Sequence, residues 1–346
     1  MKVAFVTGIT GQDGSYLTEL LLHKGYTVHG LIRRCSTHSN TLKIKHLLTN
    51  KKLTLHYGDV LDATGIQRIL SSITQESFER LEIYNLAALS HVPQSFDAPE
   101  YTAMANGIAL LHMLDWIRNH PQKDKIRFYQ ASTSELYGKV QEWPQSETTP
   151  FYPRSPYGVA KLYAFWIVKN YRESYGIFAI NGILFNHESP RRGEDFVTRK
   201  ITLGVAGILL GKKEVLEIGN LEAKRDWGHA KDFVEGMWRM VQHHEARDWV
   251  LATGKEYSVR ECIEYAFKLQ DIQIEWQGEG DKEIGIDKAT GITRVKVNPV
   301  YYRPAEVDKL LGNPKDAKEI LGWNPVYTFE TIIQEMLEFD IHTLCN

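Results

Sequence analysis

The sequence predicts an α/β fold: a doubly wound parallel sheet over residues 1–185, then a smaller mixed lobe over residues 186–346 with parts of the chain returning to the main sheet. Three observations predict it. Short apolar runs alternate five times with helical stretches before residue 132, the pattern of stacked β-α units. The first run ends in a glycine-rich turn that opens a helix. After residue 193 the alternation loosens. The chain has 346 residues, enough to bury a sizeable core. A net charge of −2 argues against general attraction to nucleic acid or an anionic membrane. Cys35, Cys262 and Cys345 are not spaced for zinc, and three cannot all pair within one chain, which suits a reducing cytoplasmic setting. The apolar run 3–6 is too short for a signal-peptide core. The apolar run 201–210 falls well short of the ~20 residues that span a bilayer.

Residues 2–7 read as a buried parallel strand. Gly8-Ile9-Thr10-Gly11-Gln12-Asp13-Gly14 follows. The stripe Tyr16, Leu17, Leu20, Leu21 then marks a helix to residue 24, closed by Gly25. Glycines let the backbone turn tightly and approach a pyrophosphate, whose charge suits the helix N-terminus. The spacing is G-x-x-G-x-x-G, not the G-x-G-x-x-G of simple dehydrogenases. Residues 27–32 form a second strand that ends in Arg33-Arg34. Arginine suits a 2′-phosphate where an acidic residue would hold a ribose hydroxyl, so the expected cofactor is NADP. Residues 35–52 make a long connection with a helical stretch over 42–48. Residues 53–57 lead to Asp59, an acceptor for the adenine amino group. A helix over 63–72 and a strand over 81–88 follow. That strand ends in Ala87-Ala88-Leu89-Ser90, small residues that leave room for a cofactor. Residues 100–119 carry one helical stripe, read as core. Residues 126–131 are the fifth strand.

The chemistry-bearing residues come next. Ser132-Thr133-Ser134-Glu135 ends the fifth strand, and a proline-rich loop over 138–156 leads to Tyr157-Gly158-Val159-Ala160-Lys161. Of 17 tyrosines, only Tyr157 has a lysine four residues later, which puts both on one helix face. A cation beside the hydroxyl is expected to favour the phenolate, a base for a sugar or alcohol hydroxyl while a hydride leaves the carbon. Glu135 adds the acid/base that an elimination needs and a plain oxidation does not. The helix runs over 155–175 and a strand over 177–184. Lys200, Arg225 and Arg303 are cations suited to phosphate and ribose. His243 and His244, adjacent on a helix, point apart, so no metal is expected. Residues 314–341 form two helical stretches around Gly322-Trp323-Asn324-Pro325.

These residues resemble the extended short-chain dehydrogenase/reductase superfamily, with its Rossmann-type sheet, and within it the GDP-mannose 4,6-dehydratases. The narrower likeness rests on residues 7–17, Arg33-Arg34, 132–138, 155–161, Asn186-His187-Glu188-Ser189-Pro190-Arg191-Arg192-Gly193, 196–200, Arg225-Asp226-Trp227-Gly228-His229 and 303–308. The resemblance implies that Thr133 bonds the sugar 4-hydroxyl, Tyr157 with Lys161 deprotonates it, and Glu135 takes the C5 proton. It implies cofactor contacts along Gly8–Gly14, Arg33, Arg34, Asp59, Val60, Leu86–Ser90, Tyr101, His187 and Arg192. It implies GDP-mannose contacts at Ser90, Ser134, Asn186, Val197, Lys200, Arg225, Arg303 and Glu306, with Trp227 near the guanine, and a homodimer or homotetramer. Two departures stand out. Leu89 replaces an expected glutamine. In the loop that reaches a neighbouring subunit's cofactor in the family, Cys35 replaces a serine and Thr41-Leu42-Lys43 a Gly-Arg. Another nucleotide-sugar dehydratase or 4-epimerase, or a non-catalytic NADP-sensing protein, is the alternative reading on the same fold.

Overall fold

The computed structural model describes residues 1–34, 38–302, 305, 307 and 309–345; Arg303 and Glu306 lie outside the described residues. The first half runs β1 (Lys2–Thr7), α1 (Gln12–His23), β2 (Thr27–Ile32), β3 (Leu53–Tyr57), α2 (Ala63–Ile73), β4 (Arg80–Asn85), α3 (Val92–Asp97), α4 (Pro99–Ala103), α5 (Leu110–Asn119), β5 (Ile126–Ala131), α6 (Pro156–Tyr175) and β6 (Phe178–Leu184). The second half runs β7 (Asn186–Glu188), α7 (Val197–Leu209), β8 (Leu216–Ile218), β9 (Lys224–Arg225), β10 (Trp227–His229), α8 (Ala230–Gln242), β11 (Trp249–Leu251), β12 (Tyr257–Ser258) and α9 (Val259–Lys268). It ends with β13 (Ile274–Gln277), β14 (Ile284–Asp287), β15 (Thr293–Val297), β16 (Lys309–Leu310), α10 (Lys315–Glu319) and α11 (Phe329–Cys345).

The main sheet is parallel, in the order β3-β2-β1-β4-β5-β6-β11. Strand order reverses between β1 and β4, and a crevice opens there at the carboxyl ends. Helices α2, α5 and α6 cover one face. The other face is covered by α1 and by α8, whose Phe233, Val234 and Met237 join Tyr16, Leu17 and Leu21 in one core. Burying each such side chain contributes roughly 1.5–3 kcal/mol. The second half therefore completes the first half's core, and β11 completes its sheet. Asp248 holds that edge: Arg172 grips it through two bonds of 2.9 and 2.8 Å, and it accepts from the Asn181 backbone at 3.1 Å. The mixed lobe has its own core of α7, β8, α9, β15 and α11 residues.

Three elements differ from the sequence reading. The single helix expected over 100–119 is broken by a π turn at Met104–Ile108. There the buried Asn106 turns out of the helix to accept from the Leu89 N–H at 2.8 Å and donate to its carbonyl at 2.9 Å. Strand β4 stops at Asn85 because the Leu86 and Ala87 N–H groups leave the ladder for the Thr7 hydroxyl, both at 3.1 Å. The helical stretch expected over 42–48 is a 3-10 segment, His38–Leu47.

Candidate active site

The strand carboxyl ends and the lobe enclose a cavity of about 1470 Å³. Single small-ligand pockets span roughly 300–1,000 Å³, so this one has room for two ligands end to end.

The glycine turn forms one end. Gly8 has φ +67°, and a Cβ there would meet the Ala87 nitrogen at 2.8 Å. A Cβ on Gly14 would lie 2.2 Å from the Gly8 carbonyl oxygen. The turn is thus a backbone cradle that only glycine permits. Thr10, Gly11, Gln12 and Asp13 line the cavity, whereas the Ile9 side chain is buried in the core. Asp13 and Gln12 clasp the segment after β6: His187 Nε2 lies 2.8 Å from Asp13 Oδ2, Gln12 donates to the His187 carbonyl at 3.0 Å, and Ser189 donates to Gln12 Oε1 at 2.8 Å. Burial disfavours both charges, yet their mutual attraction prevails, raising the His187 pKa and lowering that of Asp13. Arg33 lines the cavity and donates to the Tyr101 hydroxyl at 3.1 Å. Arg34 is exposed and lies over the Tyr57 ring at 5.6 Å, away from the cavity lining. Asp59, Val60, Leu86, Ala87, Ala88, Leu89 and Ser90 line the adjoining wall.

The centre belongs to β5 and α6. Ser155 caps α6 by accepting from the Gly158 N–H at 3.0 Å, and Pro156 takes the first helical position. This start aims Tyr157 and Lys161 at the cavity, where Thr133, Ser134 and Glu135 meet them. The Thr133 hydroxyl accepts from the Glu135 N–H at 3.2 Å. The Glu135 carbonyl packs so close to α6 that a Cβ on Gly158 would lie 2.9 Å away. Burial pushes the Tyr157 hydroxyl up to about 12, offset in part by a hydrogen bond with Thr133. Burial pulls Lys161 down to about 8. The expected lowering of Tyr157 by its lysine is not met in this geometry. Lys161 Nζ donates to the Ala131 carbonyl at 3.0 Å and lies 5.9 Å from the Tyr157 ring centroid, so desolvation outweighs its charge.

Val197, Lys200, Arg225 and Trp227 of the lobe also line the cavity, as do Asn186 and Arg192 of the segment clasped by Asp13 and Gln12, with Arg192 within charge range of Asp13. Arg192 pairs with the buried Glu188 at 3.1 Å and lies over the Phe196 ring. Lys200, pulled down to about 8 by burial first and by Lys213 second, faces the Tyr301 ring. The sequence reading assigned no role to Ser132 or Glu188, and neither carries a local signal. Glu188 becomes informative only once its side chain is seen to hold Arg192.

The family model described as GDP-mannose 4,6 dehydratase matches residues 5–336. The GDP-mannose 4,6 dehydratase of Dictyostelium discoideum is 56% identical over 351 residues, covering 100% of this chain and 97% of the relative. That of Homo sapiens is 53% identical over 349 residues, covering 99% and 92%. Among solved structures, the UDP-glucuronic acid 4-epimerase of Bacillus cereus has a TM-score of 0.80 at 20% identity, covering 99% of this chain and 100% of that one. The dTDP-glucose 4,6-dehydratase of Bacillus anthracis has a TM-score of 0.78 at 20% identity, covering 98% and 96%. These two share the fold, while end-to-end identity above one half is narrower: the chain belongs to the GDP-mannose 4,6-dehydratase family.

Proposed function

We propose that the protein converts GDP-mannose to GDP-4-keto-6-deoxymannose and water, with one NADP retained through the cycle. The observation that carries this is the meeting of Thr133, Glu135, Tyr157 and Lys161 in one cavity large enough for two ligands, whose lining also holds the glycine cradle and the cations Lys200 and Arg225. The cradle fits a dinucleotide, because a Cβ at Gly8 or Gly14 would fill it. The Bacillus anthracis neighbour is a complex with NAD, which supports a nicotinamide dinucleotide here; Arg33 in the lining favours the 2′-phosphate form. Bound NADP supplies the place where the C4 hydride is held until its return to C6. Tyr157 takes the proton of the 4-hydroxyl, with Thr133 orienting that oxygen. The resulting 4-keto group acidifies C5, Glu135 removes the C5 proton and delivers a proton to the departing C6 hydroxyl, and when the hydride has returned to C6 the proton held by Tyr157 goes to C5, which restores both side chains. Lys200 and Arg225, with Arg303, hold the nucleotide diphosphate.

Exposed Val159, Tyr163 and Trp166 on α6 support self-association into a homodimer or homotetramer. Free thiols at Cys262 and Cys345 support a reducing, cytoplasmic setting. The test is GDP-mannose deuterated at C4, incubated first without and then with added NADP⁺ and followed by NMR. Deuterium at C6 of a 4-keto-6-deoxy sugar is expected. Unchanged GDP-mannose in both incubations would overturn the reading and direct attention to UDP- and dTDP-sugars.

A further inference from the structure

The first turn of α7 has two sides with two different neighbours. Val197 and Lys200, three apart and so on one helix face, line the cavity. Thr198 and Arg199, between them, are buried and hold the segment that follows β6. The Thr198 hydroxyl donates to Glu188 Oε2 at 2.5 Å. The Arg199 guanidinium donates to the Pro190 carbonyl, and to that of Arg192 at 3.2 Å. The Glu188 oxygen that accepts from Thr198 also faces Arg192 Nε at 3.1 Å. Glu188 is buried, so one carboxylate oxygen, shielded from water, answers the charge of Arg192 and anchors α7. Phe196, at the cap of α7, has no side-chain acceptor for the first-turn amides, so the turn relies on such outside bonds for its position. The segment is also fastened to the glycine turn. Asp13 meets His187 at 2.8 Å and feels the Arg192 charge, and Gln12 bonds both the His187 carbonyl and Ser189. A continuous series of polar contacts therefore runs from the glycine cradle through Arg192 and Glu188 to the turn that carries Val197 and Lys200. A ligand that fixes Arg192 fixes Glu188 with it and, through Thr198, orders the first turn of α7. The second ligand then meets a turn that is already ordered.

We propose that Glu188 is a positioning residue that couples the two ligands of the cavity: through it, cofactor and sugar nucleotide each tighten the binding of the other. This rests on the NADP and GDP-mannose reading above, with Arg192 on the cofactor and Lys200 on the diphosphate.

The test uses GDP, which lacks the sugar that must meet the nicotinamide, so that any coupling to NADP⁺ runs through the protein. Dissociation constants of GDP are measured by titration calorimetry on cofactor-stripped and on NADP⁺-saturated protein, and those of NADP⁺ with and without GDP. In the wild type each ligand should tighten the other by about tenfold, with the same factor in both directions. Glu188→Gln keeps size and an acceptor for Thr198 but removes the charge that answers Arg192. Thr198→Val keeps that charge and removes the hydroxyl. Both should bring the factor down to about one. A merely structural role would weaken either ligand and leave the factor as it is. Independent binding in the wild type would overturn the proposal, as would an unchanged factor in either variant that melts cooperatively. A protein that takes NAD⁺ or another nucleoside diphosphate instead would overturn the reading above, and the factor is then read with the pair that binds.

Discussion

Glu135 and Tyr157 reach one cavity wall from different elements, and their roles separate by substitution. Glu135→Gln keeps shape and hydrogen bonding but removes the base. Oxidation at C4 should persist as reversible transfer of the C4 deuteride to the retained cofactor, read as the absorbance of reduced nicotinamide, while elimination falls by at least about a hundredfold. Product formation at the wild-type rate, followed by NMR, would remove Glu135 from the role. Lys161 gives a prediction with a pH sign. Its folded pKa is about 8, below the ordinary ~10.4. Below pH 8 both folded and unfolded chains carry the proton, and the folded chain bears the full penalty of burying it. Between about 8 and 10.4 the unfolded chain binds more protons, so stability rises with pH. Lys161→Met should therefore be inactive yet about 2 kcal/mol more stable at pH 7. Urea unfolding should show that gain shrinking towards pH 10; a gain that is flat with pH would contradict the assignment. The glycine cradle and the Tyr157–Lys161 pair were legible in the sequence because their geometry is local. The Asp13–His187 clasp, between residues 174 positions apart, was not, because only folding brings the two together.

At the scale of elements, α6 is the part whose placement matters most. It starts at a capped, proline-marked end and touches the Glu135 turn through Gly158. Ser155→Ala removes the cap and should cost about 1 kcal/mol in urea unfolding. Because the frayed turn is the one that carries Tyr157, kcat should fall several-fold while KM for the sugar nucleotide holds. A change in stability with kcat untouched would separate the cap from the catalytic geometry. The strands and most helices could be read from apolar periodicity. The π turn at Met104–Ile108 could not: it exists to bring Asn106 to the Leu89 backbone, a tertiary demand that leaves the stripe in sequence intact.

At the scale of the whole molecule, the two halves are not independent. Helix α8, strand β11 and Trp323 lie in the core that also holds Tyr16, Leu17 and Leu21. A fragment of residues 1–185 lacks the cover of one sheet face and the β11 edge. It should show no cooperative thermal transition and weak near-ultraviolet dichroism, whereas the full chain melts cooperatively. A sharply melting fragment would show that the first half closes its own core. The division into a cofactor half and a substrate half, drawn from the loosening of the β-α pattern, is a proposal about ligand placement. It is silent on which segments fold together, since that depends on which apolar faces meet.

The paired bonds from Asn106 to both backbone groups of Leu89 have a consequence for how the chain tolerates change. The loop at that point is held by a side chain from another element, so its path does not depend on what residue 89 carries. Position 89 is free to vary, because the Asn106 bonds reach its backbone and not its side chain. The burden of constancy moves to Asn106, which takes part in no chemistry. In a library randomised at both positions, residue 89 should accept broad chemical variety among folded, cofactor-binding clones, and residue 106 almost none.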